Sequence, residues 1–443
     1  MSRPRARSIA PIALALAFAA AREARGNGRF PAAQMVQVGP GADATTVVVR
    51  TTFGLLRSND GGARWSWHCE DMFGYGGQSN WDPPFAITRG DDGIALMVGL
   101  PAGLARALDH CANTRNADVG MTFTADVTST ADGRSLYWVG ANGVDANRVF
   151  FSSDGGRTFS PRGTAPDGVL ILTVEAAPTD PERVYFTGIT TTATPVDYFF
   201  RSDDGGRTLR RIDLDLRGAR TAWISAVDPT DRDTVYVRAV VDDPDAGDPI
   251  LGSPTVLLRT RDGGASFDEV TRTRGPMLGF ALSGDGRTVW TGGPHEDDRL
   301  RRSVDGGPFE RVSSAQSLCL RWHAGALYVC GNHLSEGYSL ARSTDDGRTL
   351  TPLLRFSELS APSGCARGTP GADLCAPRWP IVARFFASPD AGLDAGSDDA
   401  AVLAPPSNHE GCRCTAAGKN HGAPRAWGWI ALAAACVSAR RRR

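Results

Sequence analysis

The chain has 443 residues, a formal net charge of −1 and 22% charged residues, so it carries neither a basic field for nucleic acid nor an acidic tail. Its basic residues are nearly all arginine, with Lys419 the one lysine, which excludes Schiff-base chemistry and a phosphate-loop lysine from the folded part. No C-x-x-C zinc spacing occurs, and neither cofactor nor metal is expected.

At the N-terminus, Arg3, Arg5 and Arg7 precede an apolar run, 9–21, that ends in Ala19-Ala20-Ala21. Basic start, apolar middle and small-residue end are the order of an export signal over 1–21. The run is too short to span a bilayer stably; the alternative is a buried N-terminal helix. Export places the chain in an oxidising compartment, where the six cysteines of the body, Cys69, Cys111, Cys319, Cys330, Cys365 and Cys375, are expected to form disulfides.

Along the body one phrase recurs: SNDGGARW (58–65), SSDGGRTF (152–159), SDDGGRTL (202–209), TRDGGASF (260–267), SVDGGPF (303–309) and STDDGRTL (343–350). The first step, from Asp60 to Asp154, is a double one, and ALDHCANT (107–114) fills it with Asp109 while Cys111 replaces a glycine. Seven units of roughly 40 to 58 residues match a propeller-blade period. The fourth unit displays the grammar, four short strands reading LILTVEA, RVYFTGI, YFFRS and TLRRI, with the box between the third and fourth. The expected fold is all-β, one seven-bladed propeller of four-stranded blades over 34–387, with 28 strands and none exchanged across the closure.

In each box glycine supplies positive φ and the aspartate accepts N–H bonds from its own turn. A carboxylate working on substrate is needed once, not seven times around a ring. Asp60, Asp109, Asp154, Asp204, Asp262, Asp305 and Asp345 are therefore expected to be turn staples. The pattern Ser/Thr-x-Asp-x-Gly-x-Thr-aromatic resembles the Asp-box, or BNR, repeat of sialidases, sortilin-type receptors, xyloglucanases and the photosystem assembly factor, over about 36–356. That resemblance implies the fold and leaves the function open, since such propellers host enzymes and binding proteins.

In LCLRWHAGALYVC a two-residue turn at Ala324-Gly325 places Cys319 opposite Cys330, within disulfide reach. Cys365 and Cys375 are expected to close a small loop after blade seven. Cys69 with Cys111, paired by elimination, would tie blade one to blade two.

Beyond WPIVARFFA the composition shifts to Ala, Gly, Asp, Pro and Ser without an aromatic, so 388–411 reads as a disordered stalk. A Gly411-Cys412 site, Cys414, a polar spacer, an apolar stretch 426–439 and four terminal arginines complete the chain. Small-residue site, spacer, greasy tail and basic end are the order of a cleaved sorting signal over 412–443. The segment resembles the MYXO-CTERM tails of myxobacterial surface proteins, which implies processing and attachment at Gly411-Cys412. The alternative is a single short transmembrane anchor. Both place the propeller outside the cell, as a monomer attached to the membrane through its tail.

The loops opposite the box turns supply the candidate ligand residues. Tyr75 and Trp81 are expected stacking surfaces, and Asp243, Asp245, His295, Glu296, Asp297, His333 and Glu336 polar partners, a set suited to a sugar or a cation. The alternative is that these are solvated loops. Sialidases with this fold use an arginine triad, a Tyr/Glu pair and an Asp around the central channel. The inner strands here supply Arg89, Arg321, Glu175, Asp126 and Asp228, with no clear third arginine. The reading is a surface-displayed binding, adhesion or scaffold propeller for a carbohydrate or a surface protein; the alternative is a sialidase-like glycoside hydrolase.

Overall fold

The structure, a computed structural model, describes residues 29–76, 82–115, 123–141, 147–241 and 252–386. The export segment, Trp81, Asp243, Asp245, Gly411, Cys412, Cys414, the stalk and the tail lie outside the described residues.

Seven antiparallel sheets of four consecutive strands each make up the chain, 28 strands among the described residues. The blades run 33–68, 85–115, 123–164, 169–213, 219–272, 279–311 and 319–354. First strands line the axis, and the first strand of blade 7 packs beside that of blade 1, so the ring closes by side-chain packing without an exchanged strand. Second strands are buried on both faces, because each sheet stacks between two neighbours. Val47, Val48 and Val49 are all buried, as are Leu96, Met97 and Val98, and Tyr185 with Phe186. Apolar runs at these positions, rather than alternation, follow from that double burial.

The turn at Ala324-Gly325 has positive φ at both residues, 47° and 78°, the geometry a two-residue hairpin demands. It sets Cys319 directly across from Cys330, and the two are bonded with Cα atoms 4.9 Å apart.

The other two disulfides correct the sequence reading. Cys69 bonds Cys375 and Cys111 bonds Cys365, with Cα separations of 5.4 and 5.2 Å; neither a Cys69–Cys111 bond nor a Cys365–Cys375 loop exists. The cause is the segment after blade 7, which turns back across blades 1 and 2. Trp379 packs on Trp67 with centroids 5.5 Å apart, and Phe386 on Phe53 at 5.0 Å. The Gly371 N–H donates to the Cys111 carbonyl, and Arg378 pairs with Asp71 at 2.8 Å. A π turn (Gly371–Cys375) leads into a helix (Ala376–Arg384) along this path. Apolar burial brings the returning cysteines to blades 1 and 2, so the ring gains two covalent clasps between its first blades and the chain beyond its last.

Candidate functional site

The box turns are built alike in five blades. The hydroxyl of Ser58, Ser152, Ser202, Thr260 or Ser343 donates to the box aspartate at 2.7–2.8 Å. The same oxygen accepts the N–H of the glycine four residues on at 2.8–2.9 Å. Each aspartate accepts the N–H four residues on, as Asp60 does from Arg64 at 2.8 Å and Asp345 from Thr349 at 2.8 Å. The Ser266 hydroxyl and amide hold the Asp262 carboxyl down at about 2. Asp109 keeps the role without the glycine, accepting from the Cys111 and Ala112 amides.

Asp305 departs from the expected staple. Its backbone is left-handed, φ 52°, and its carboxylate forms a two-point pair with Arg287 at 2.6 and 2.7 Å. The Ser303 hydroxyl donates to the Gly307 carbonyl instead of accepting a glycine N–H. SVDGGPF is one residue shorter than the other boxes, and Pro308 removes an N–H that would have closed the turn.

The loop candidates among the described residues do not form one site. Tyr75 is 1% exposed and stacked against Phe73 at 6.2 Å, so it is a core ring and not a stacking surface. The short helix Glu70–Phe73 ends in a left-handed Gly74, which carries the following tyrosine inward. His295 caps a 3-10 turn by accepting the Asp297 N–H, and Glu296 is exposed, with its carbonyl taking Arg311. His333 lies half-buried against Phe356 at 5.2 Å, and burial lowers its pKa. Glu336 accepts the Gln316 N–H at 3.0 Å and lies 4.0 Å from Arg299 of the preceding blade. His295, Glu296 and Asp297 occupy one loop, His333 and Glu336 another.

On the axis, Asp126 and Glu175 stand on adjacent first strands, and Arg321 is within electrostatic reach of Glu175. Burial, then the Glu175 charge, pushes Asp126 up to about 7; burial raises Glu175 as well, against the Thr128 hydrogen bond and Arg321. Both carboxylates are taken by the protein itself. Asp126 accepts the Val174 N–H at 3.0 Å and the Val127 N–H at 2.9 Å, bridging blades 3 and 4. Glu175 accepts the Thr128 hydroxyl at 2.9 Å. Asp228 holds the turn at Thr230 and Asp231, and Arg89 is exposed at a strand end, so neither joins the pair.

One His/Cys group among the described residues has ligand atoms within 4.8 Å of one another, His110, Cys111 and Cys365. Two of these are oxidised to a disulfide, which leaves a single imidazole.

A groove of about 450 Å³ lies at the seam between blades 5 and 6, bordered by Tyr236, Arg259, Glu269, Arg287, Asp305 and Phe309. Elsewhere the second box glycine presses on the preceding blade. A Cβ on Gly264 would fall 2.8 Å from Ile212 and 2.9 Å from Phe199, and one on Gly347 2.8 Å from Leu300. In blade 6 a Cβ on Gly306 meets nothing within 4 Å, and one on Gly307 meets only the Val304 carbonyl of its own turn. The short box does not reach blade 5. Sequence reasoning missed this groove, although the deleted residue before Phe309 was its signal.

Neither a protein-family model nor a curated protein matches the chain. Solved structures do. A Niastella koreensis GH74 enzyme is 16% identical over 72% of this chain and 62% of that one, with a TM-score of 0.35. YCF48 bound to D1 peptide is 17% identical over 60% and 72%, with a TM-score of 0.36. A Mycobacterium tuberculosis puromycin-hydrolyzing peptidase is 13% identical over 72% and 52%, with a TM-score of 0.48. The chain thus spans less than two thirds of the GH74 enzyme, and the likeness to all three concerns the β-propeller fold alone.

Proposed function

We propose that this chain is a non-catalytic binding propeller of the Asp-box type, displayed on the outer face of the cell envelope, with a protein or carbohydrate ligand. The observation that carries the reading is the contrast between its two polar regions. On the axis, Asp126 and Glu175 accept backbone and hydroxyl donors that fasten neighbouring blades, so this pair serves the packing of the ring. At the blade 5/6 seam, the sheet packing is open and arginine-lined, as a ligand site requires.

Incubation of the purified protein with a glycan panel that includes sialosides and xyloglucan tests the choice. Binding without release of sugar is expected, with the same product background for wild type, Asp126→Asn and Glu175→Gln. Hydrolysis lost in Glu175→Gln would install the glycosidase instead.

The display rests on the export signal, the stalk and the tail. A stalk of about 24 residues has a root-mean-square reach of roughly 25–30 Å, enough to hold a propeller off a membrane. Among the described residues no helix is long and apolar enough to cross a membrane; in this reading the tail provides the attachment. Cys412→Ser is expected to shed the propeller into the medium or leave the tail uncleaved, as mass spectrometry of the surface fraction would read. Wild-type surface protein ending intact at Arg443 refutes processing.

A further inference from the structure

Five of the seven seams between blades share one device. A side chain of the earlier blade crosses to the box region of the next. Arg57 donates to the Leu108 carbonyl at 2.7 Å, Arg106 to Gly155 at 3.1 Å and Arg162 to Gly205 at 3.2 Å. Arg302 reaches the Asp346 carboxylate at 2.7 Å, and Trp290 the Asp346 carbonyl at 3.0 Å. At the blade 4/5 seam Arg201 stands against Gly263, where a Cβ would fall 2.6 Å from its Nη1. Across each of these seams the later box brings oxygen acceptors or a closely packed turn to an arginine of the earlier blade.

Arg259 occupies the same place in the third strand of blade 5 as Arg57, Arg106, Arg201, Arg302 and Arg342 do in theirs. Arg342 turns to the Tyr328 hydroxyl, and its seam is filled instead by Gly62 against Leu353 and by Trp65, which donates to the Leu353 carbonyl at 3.3 Å. The counterpart of Arg259 is missing. The blade 6 box is one residue short, Asp305 is turned to Arg287 within its own blade, and Gly306 faces open space. Among the described residues the one hydrogen bond of Arg259 is a 3.5 Å contact with the Tyr236 hydroxyl, and its buried Nε has no partner. The guanidinium is half-buried, and a buried donor left unfilled, such as its Nε, is costly unless an acceptor reaches it. The acids around it are committed elsewhere: Glu269 to Arg272, Asp305 to Arg287, and Asp228 and Asp231 to their own turn. The arginines of the shallower pocket nearby differ in this respect. Arg274 pairs with Asp297, Arg301 donates to the Phe309 carbonyl and Arg311 to the Glu296 carbonyl.

We infer that the blade 5/6 groove binds a peptide turn of a partner protein, which takes the place of the box that blade 6 lacks. A carbonyl or carboxylate oxygen of the turn receives the Arg259 fork, and an apolar side chain settles against Phe309 and Val270 beside Tyr236. The groove volume, about 450 Å³, suits a few residues, and the five seams with an arginine-to-box contact define the shape that fits. This inference rests on the binding reading above and names the ligand class for it.

The probe is the blade 3 box itself, SSDGGRTF, cyclised through added terminal cysteines and labelled for fluorescence anisotropy. Saturable binding to the oxidised full chain is expected, absent for a scrambled cycle. Arg259→Ala should weaken it at least tenfold, and Arg259→Lys by less, since lysine keeps the charge and loses the fork. A second variant keeps Arg259 and replaces 303–309 by SSDGGRTF. It should close the seam, raise the melting temperature and abolish peptide binding. The inference is overturned by unchanged affinity in Arg259→Ala or in the grafted chain, or by concentration-dependent dimerisation competing with the peptide, which would make the occupant a second copy. It is also overturned if the graft stabilises the chain while the wild type binds no peptide at millimolar concentration. That result would leave the binding role to another face, whereas sugar hydrolysis would remove the binding reading itself.

Discussion

Replacing Cys69 and Cys375 together by alanine is expected to lower the melting temperature by roughly 5 °C. The bond joins residues 306 apart in sequence, but Cys111–Cys365 is nested inside it, so the loop it adds spans only 69–111 and 365–375. In the chain-entropy account a loop of about 50 residues restricts the unfolded chain by about 4 kcal/mol, and in a domain of several hundred residues each kcal/mol is worth about 1–2 °C. Cys319–Cys330 closes a separation of 11 and is worth about 3 kcal/mol in the same account. Calorimetry of the two double variants, with disulfide mapping of the wild type by mass spectrometry, checks both the order and the pairing. Equal losses, or a mapped Cys69–Cys111 peptide, would contradict the clasp. Because Trp379 and Phe386 still pack on blade 1, the variant should keep its native near-ultraviolet spectrum at low temperature.

Asp126→Asn is expected to stabilise the protein at pH 8 and to have little effect near pH 4. In the folded chain burial, then the Glu175 charge, moves the Asp126 carboxyl from the ordinary 3.8 up to about 7. The folded state therefore holds more protons than the unfolded state between those values, and wild-type stability falls as the pH rises from about 4 to about 7. Above that window the loss is complete and constant. A full shift of this size corresponds to about 4 kcal/mol. The side chain keeps some contact with the open axis of the ring, and screening there reduces the expected gain to about 1–2 kcal/mol. Asparagine retains an oxygen for the Val174 and Val127 amides, so the bridge between blades 3 and 4 survives. Urea unfolding at pH 4, 6 and 8 reads the result. A gain of the same size at pH 4 and pH 8 would mean that the effect is packing and not proton linkage.

The blade count, strand order and box turns were legible in the sequence because each blade is a local object. Its turn residues, hydroxyl, aspartate and glycines stand within eight positions, and their spacing alone imposes the hydrogen bonds around Asp60, Asp154, Asp204, Asp262 and Asp345. Cys319–Cys330 was legible for the same reason, since one two-residue turn sets its register. Tyr75 was misjudged because sequence displays a loop tyrosine and cannot display the left-handed Gly74 that turns it inward. Contacts between distant parts of the ring were decided by tertiary structure alone. The pairings Cys69–Cys375 and Cys111–Cys365 follow from the burial of Trp379 and Phe386 on Phe53 and Trp67. The commitment of Asp126 and Glu175 to neighbouring blades follows from how first strands adjoin on the axis. The open blade 5/6 seam lies between these cases. The sequence recorded a missing residue before Phe309, and only the packed ring revealed that its absence leaves Arg259 facing a groove.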